Sequence, residues 1–554
     1  MMKAPKRFGH QQKCRWLHLW LLLCGLIVGV GLRCTQLDAK PPWSDEWATI
    51  VFSLGHRFST VPLNEVISLE TLLLPMRLNA AQDSGDVVAA LINDSTHPPL
   101  YFIVNHWWLK LFSPPSELVS IWSARSLSAL LGAAAILAMF GLGWLVFRSR
   151  LVGQMAAALM AVSPYGIYLS QEARHYTLAI LWAIASLGCL VIAVRHRRQP
   201  TSRWLMLFWI GVNSLGFATH YFFLLALAAQ GLVLLALWLR QWQRDRSTLI
   251  SASWQRIYAA ITGTTIGILV WLPALVRIPG NNLTSWIYEG NPWEEFLGPF
   301  GRLLVWLTTM LFLLPVEGTP LPLTILSGVV VLLVLLWLMP KFVTGLRAIQ
   351  KQHRVEIQTI GGYIIASSLI IVAITYFLGA DLTAAARFQF TTFPAVVLLL
   401  GAILAKLWQG DRPKIAVIVT LIMGLFGALT VVSNLGYQKF ERPDLVVPQI
   451  VENTHPSESL LIAIAHKSHG QTAELLGLAW QFQQRYPQFS PFFLFVHQEP
   501  DAQAASVQQA IAQLPQPVQL WLVNFADPPQ LERCTPEKHQ RVPGYRYQLY
   551  RCRE

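Results

Sequence analysis

Charge is what this chain most conspicuously lacks. Only 13% of its 554 residues are Asp, Glu, Lys or Arg, where a soluble protein of that length carries about 25%. The shortage excludes an ordinary soluble globule. The apolar excess, 54% of residues with a mean hydropathy of +0.44, is gathered into blocks, which is the pattern of a polytopic membrane protein. Cysteine is also sparse. Cys14, Cys24, Cys34, Cys189, Cys534 and Cys552 show no metal-ligand spacing, which excludes a zinc-ribbon type of fold. Only Cys534 and Cys552 share a segment predicted to be soluble; one disulfide and two free thiols are both open there. No internal repeat or low-complexity tract is present, and the segment 433–554 has no Gly-rich phosphate fingerprint.

The apolar blocks predict eleven spans, each needing about 20 residues at 1.5 Å rise. The first runs over 16–32, after a basic start that imitates a signal peptide; Arg33 before Cys34 and the absence of a small-x-small triplet favour an uncleaved segment. The others are 126–147, 151–169, 176–194, 204–220, 221–239, 257–275, 321–339, 361–378, 389–407 and 414–432. The net charge of +13 is largely explained by these spans. With the N-terminus cytoplasmic, the inner segments hold just over half of the 42 Lys and Arg, including the runs at 195–198 and 240–246. The positive balance therefore marks topology and argues against nucleic acid as a partner. Arg125, Arg174, Arg277, Arg302 and Arg387 are the notable cations on the other side. An apolar run at 303–316 resists this scheme and is expected as a re-entrant or surface-lying helix.

Two regions fall outside the bundle. The loop 33–120 carries one helical face at Trp47, Ile50, Val51, Leu54 and Phe58, with Ser44 or Asp45 able to cap it. A second helical segment follows His97-Pro98-Pro99, whose prolines suit a first turn. Both are expected as amphipathic helices at the membrane surface. Residues 433–554 are expected to form a small extracytoplasmic α/β domain, with strands at 460–465, 492–496, 518–523 and 545–550 and helices at 471–485 and 502–514. The domains are thus 1–432 and 433–554.

Polar residues at the predicted outer ends of spans form the candidate site: Asp45 and Glu46, His97-Pro98-Pro99, Ser170 to Tyr176, His220-Tyr221, and Arg387. An ionisable group at membrane level is a functional candidate by default. Asp45 and Glu46 are adjacent on a helix start and point in different directions, so one faces a substrate. A carboxylate there serves equally as a general base or as a first-turn acid favoured by the helix dipole. Glu172 and Arg174 offer an acid and a cation two residues apart, or a local ion pair. Arg387 reads as a phosphate ligand or a snorkelling edge residue. His97 is more often a helix-start residue, and His220-Tyr221 serves equally as a turn. The sequons Asn93-Asp94-Ser95 and Asn282-Leu283-Thr284 are weak signals.

The order of Trp-Ser-Asp-Glu-Trp at 43–47, His-Pro-Pro-Leu-Tyr-Phe at 97–102 and Ser-Gln-Glu-Ala-Arg-His-Tyr at 170–176 resembles the GT-C glycosyltransferases of the protein mannosyltransferase and aminoarabinose transferase type. The resemblance covers roughly residues 15–430. It implies a helical bundle in a bacterial inner membrane and a polyprenyl-phosphate-linked sugar as donor. In this likeness Asp45 matches the acceptor-activating base, with Glu46 beside it. Glu172, Arg174 and Tyr176 line the cavity, His97, Pro98 and Pro99 lie near the donor phosphate, and Arg387 contacts it. His220 and Tyr221 join the substrate-binding set as outer-end residues. A lipid-phosphate donor has no pyrophosphate for a metal to bridge, so no obligatory metal or cofactor is expected, a divalent ion not being excluded. The acceptor is unspecified: protein, lipid or envelope glycan. Competing readings are a lipid-glycan ligase or polymerase and a flippase or transporter; the latter calls for half-repeats and charges in mid-span.

Overall fold

A computed structural model describes residues 6–196, 201–276, 286–410, 414–455, 457–497 and 499–552. Arg277, the Arg197-Arg198 pair and the sequon at 282–284 lie outside the described residues. The chain is mainly helical and divides into two units. A helical unit comprises residues 6–37, 125–276 and 286–438, and a mixed α/β unit comprises 38–124 and 439–552.

In the helical unit, every segment expected as a span is helical, but eleven spans are not established. Among the described residues, seven helices are long and apolar enough to cross a membrane: Trp16–Cys34, Ile121–Phe147, Tyr176–Arg195, Phe223–Arg244, Leu321–Gln352, Arg354–Phe377 and Lys414–Val432. An eighth is reached if Arg150–Val162 and Pro164–Ser170, bent by 58°, count as one. Arg203–Thr219 and Phe393–Trp408, of 17 and 16 residues, are too short by that measure, and the 18-residue Ala252–Leu269 is not apolar enough. The run at 303–316 forms only the 12-residue helix Gly298–Thr309, about 18 Å long at 1.5 Å per residue.

The 58° bend has an identifiable cause. Pro164 cannot donate to the helical ladder, which strands the carbonyl of Met160, next to that of Ala161, in an apolar interior. The fully buried Arg33 repairs the break: its guanidinium donates to Met160 O (2.9 Å), Ala161 O (3.2 Å), Gly29 O (2.9 Å) and Ser170 Oγ (3.1 Å). Close backbone approach holds neighbouring helices. A Cβ on Gly401 would stand 2.9 Å from the backbone of Ala156, so the glycine sets the spacing of that pair.

The α/β unit combines what the sequence divides between the loop 33–120 and the C-terminal segment. Among the described residues its six strands are β1 (Val66–Ser68), β2 (Ser459–Ala465), β3 (Phe492–Val496), β4 (Val518–Val523), β5 (Cys534–Val542) and β6 (Tyr545–Cys552), in the order β1-β3-β2-β4-β6-β5. The strands β2, β3 and β4 are parallel, and β1, β5 and β6 are antiparallel additions at the edges. The three central strands read as continuous apolar runs because helices cover both faces. The helix Pro500–Ala512 packs on one side through Val507, Ala510 and Ile511. The helix His469–Arg485 lies on the other, with Leu475, Leu476 and Phe482 buried. Cys534 and Cys552 sit opposite each other in the β5–β6 register and form a disulfide.

Candidate functional site

The Asp45-Glu46 helix is shorter and deeper than its periodicity predicts. It spans Ser44–Ser53 and buries Glu46, Trp47, Thr49, Ile50, Val51, Phe52 and Ser53. It is therefore a core helix of the α/β unit and not a surface-lying one. Neither Ser44 nor Asp45 is the N-cap: that position is Trp43, whose side chain makes no capping bond. The cap comes from far along the chain. The carboxylate of Glu441 accepts the Ser44 backbone N–H at 2.5 Å and the Ser44 hydroxyl at 2.8 Å, which suits the positive end of a helix dipole. The other end is held as well. Asn105 Nδ2 donates to Ser53 Oγ (3.0 Å), and His106 Nδ1 donates to Ser53 O (2.8 Å). Trp47 rests on Trp480 at 5.6 Å between ring centroids, and Gly477 leaves room for its indole. With the helix fixed in this phase, Glu46 is fully buried and Asp45 is half-buried.

A second carboxyl group lies behind Glu441. Glu474, on the helix His469–Arg485, is pushed up to about 8 by burial and by the charge of Glu441, opposed by the bond from Asn524 Nδ2 (2.7 Å). Beside the same helix, a cleft of about 250 Å³ is lined by Lys40, Pro41, Pro42, Trp122, Trp480 and Arg485 among others. It adjoins the stretch that leads into Asp45.

His97 is half-buried, with Nδ1 bonded to Ser95 Oγ (3.0 Å) and its ring against Phe102 (6.0 Å). Pro98 is buried, and Pro99 is the N-cap of the helix Leu100–Phe112, so both prolines precede the first turn. That helix buries Asn105 and His106 and exposes Trp107, Leu111 and Phe112, an inversion that suits a membrane-surface face. Asp94 escaped sequence reading. Its buried carboxylate accepts Ser59 N–H (2.9 Å) and Ser59 Oγ–H (3.0 Å).

In the helical unit, Gln171 to Tyr176 form the connection between Pro164–Ser170 and Tyr176–Arg195, and every one of these residues is at most 3% exposed. Gln171 Nε2 donates to the carbonyls of Leu32 and Thr35, and Ser128 Oγ donates to Arg174 O at 2.9 Å. The Arg174 guanidinium lies 5.8 Å from the Tyr176 ring. Ring contacts then join this run to other expected residues. His220 touches His175 (4.3 Å), Tyr176 (5.4 Å) and Phe390 (5.0 Å). Phe222 carries the chain of contacts to Phe388 (5.0 Å), and Arg387 lies over Phe388 (5.3 Å) and Trp286 (5.1 Å). Arg174, Tyr176, His220 and Arg387 thus belong to one belt of side chains, and Glu172 is buried in the run that carries Arg174 and Tyr176. Tyr221 does not, since its ring faces Phe217 and Trp271. Arg387 sits in the 3-10 turn Ala386–Thr391, ahead of the helix Phe393–Trp408 rather than in it. Among the described residues, Thr177 Oγ1, Gln389 Nε2, Thr391 Oγ1 and Thr392 Oγ1 are buried with no hydrogen-bond partner. Such groups are costly in an apolar interior unless something polar meets them, and nothing in the periodicity singles them out. Asp381 was also missed; it takes Arg302 Nη2 at 2.6 Å. Among the described residues, no three His, Cys, Asp or Glu side chains gather as a metal-ligand set.

No family model and no curated protein matches the chain. Solved structures are similar along nearly its whole length. ArnT from Cupriavidus metallidurans bound to undecaprenyl phosphate shares 15% identity over 96% of this chain and 98% of that one, at a TM-score of 0.48. The archaeal oligosaccharyltransferase AglB from Archaeoglobus fulgidus, in complex with an inhibitory peptide and a dolichol-phosphate, shares 11% over 92% of this chain and 69% of that one, at a TM-score of 0.47. At this level of identity and overlap the likeness bears on no side chain's role.

Proposed function

We propose that this multi-pass membrane protein is an inverting glycosyltransferase that moves a sugar from a polyprenyl-phosphate donor to an acceptor hydroxyl. The observation that carries the reading is the run Gln171–Tyr176, in which an acid and a guanidinium are buried among apolar helices, and whose Arg174 and Tyr176 share a belt with His220 and Arg387. Ionisable groups in such surroundings are costly and retained for function. In the proposed step the acceptor oxygen attacks the anomeric carbon and Asp45 takes its proton. The bond from that carbon to the phosphate oxygen breaks, and the phosphate leaves with the electron pair. Arg174 and Arg387 offset its growing charge. A single displacement inverts the anomeric centre. The half-buried position of Asp45, against the full burial of Glu46, supports Asp45 as the base. The disulfide in the α/β unit supports an oxidising, extracytoplasmic location for it.

Purified protein should transfer label from one member of a panel of polyprenyl-phosphate sugars. Asp45→Asn should lower the rate about 10²–10⁴-fold while leaving donor binding intact. Full activity in that variant would remove Asp45 from the mechanism, and no transfer from any donor would remove the enzyme reading.

A further inference from the structure

At the basic end of the helical unit, the helices Phe223–Arg244 and Arg354–Phe377 pack side by side. A groove of about 850 Å³ opens between them. Leu232, Ala236, Ile365 and Leu369 line one stretch of it, and Gln241, Gln358 and Thr359 line it beside the arginines. Gly362 keeps it open: a Cβ there would meet only Val233 Cγ2, at 3.6 Å. Its mouth is cationic. Arg240 and Arg244 come from the end of one helix and Arg354 from the start of the other, and among the described residues no Asp or Glu lines the groove.

The neighbouring cations and acids have partners of their own. Arg195 Nε binds Glu356 at 2.9 Å, Arg246 lies 4.5 Å over the Trp242 ring, and Asp245 accepts from the Ser247 N–H and hydroxyl. Arg240, Arg244 and Arg354 make no side-chain hydrogen bond, ion pair or ring contact among the described residues. Three guanidiniums with no counter-charge among the described residues, at the lip of a groove with an apolar stretch, have a matching ligand chemistry. Each presents planar donors suited to phosphate oxygens. The apolar stretch from Gly362 to Leu369, facing Leu232 and Ala236, suits an acyl chain. Basic pockets between membrane helices, at the end where Lys and Arg concentrate, suit anionic lipid head groups.

We propose that this groove is a binding site for an anionic diacyl phospholipid of the phosphatidylglycerol type, its phosphate held by Arg240, Arg244 and Arg354 and an acyl chain lying past Gly362. A zwitterionic lipid fits less well, because its ammonium would meet the same three cations. None of the residues that line it is among those assigned above to transfer.

The test uses the full-length protein, delipidated in a neutral detergent. Retention of added lipid is read by native mass spectrometry, with phosphatidylglycerol, phosphatidylcholine, undecaprenyl phosphate and inorganic phosphate as separate probes. Wild type should retain phosphatidylglycerol in preference to the other three. Each single Arg→Gln change at 240, 244 or 354 should weaken retention about fivefold, and the triple change should abolish it. Gly362→Leu, which keeps every cation but fills the groove, should also abolish it and decides the matter if the triple variant does not fold. Equal retention of phosphatidylcholine, preference for undecaprenyl phosphate, competition by inorganic phosphate alone, or unchanged retention in Gly362→Leu would each overturn the proposal.

Discussion

Glu474 is a carboxyl group held where its charged form is disfavoured, by burial and by the charge of Glu441. Its folded-state value of about 8 stands above the ordinary 4.5. Between these pH values the folded chain keeps a proton that the unfolded chain releases. Stability should therefore fall as pH rises from about 4.5 to about 8, by on the order of a few kcal/mol. Glu474→Gln keeps the shape and the contact with Asn524. It should leave denaturant stability at pH 5 nearly unchanged and raise it at pH 8.5; an equal effect at both values would contradict the buried-acid account. The pair Asp45-Glu46 shows a limit of sequence at this scale. Adjacency requires that the two side chains diverge, but not which one is buried. That depends on the phase of the Ser44–Ser53 helix, set by Trp480 and Glu441, some 400 positions away.

At the scale of elements, the same helix carries a prediction. Removing the cap with Glu441→Ala should cost about 1–2 kcal/mol and lower kcat more than donor affinity, because it loosens the helix that bears Asp45. Thermal melts and a split of kcat from KM check this, and unchanged values for both would show that the bond holds nothing. The kinked pair Arg150–Val162 and Pro164–Ser170 depends in the same way on Arg33. Arg33→Met should cost about 1–3 kcal/mol for each carbonyl left without a donor, read as a lowered melting temperature in detergent. The legibility of elements followed burial. Strands β2, β3 and β4 are apolar runs, and the sequence places them within a residue of their observed bounds. Strand β5 reads Cys-Thr-Pro-Glu-Lys-His-Gln-Arg-Val, the polar composition of an edge, with a bulge after Pro536. Strand β1 is three residues long, and only its pairing with β3 makes it a strand.

At the scale of the whole molecule, the α/β unit is stapled by the Cys534–Cys552 bridge across 18 residues. Closing a loop of that size contributes about 3 kcal/mol. Reduction, or replacement of both cysteines by serine, should lower the melting temperature of this unit, followed by near-ultraviolet circular dichroism. No change on reduction would mean that the β5–β6 hairpin holds without the bridge.

The sequence by itself determined that the chain enters a membrane, where most of its long apolar helices lie, and that the C-terminal segment is a layered α/β fold. Each of these follows from hydropathy and periodicity, which are local quantities. It also singled out Glu172, Arg174, Tyr176, His220 and Arg387, because an ionisable or aromatic group at a span end is conspicuous against leucine. Tertiary structure alone decided that residues 38–124 fold with 439–552 into one unit, and that Glu441 caps the helix of Asp45. It alone decided that Tyr221 leaves the belt that His220 joins, and that Arg240, Arg244 and Arg354 share one groove. The reason is the same in each case. These outcomes depend on contacts between residues far apart in the chain, and such contacts leave no periodic mark on the sequence that makes them.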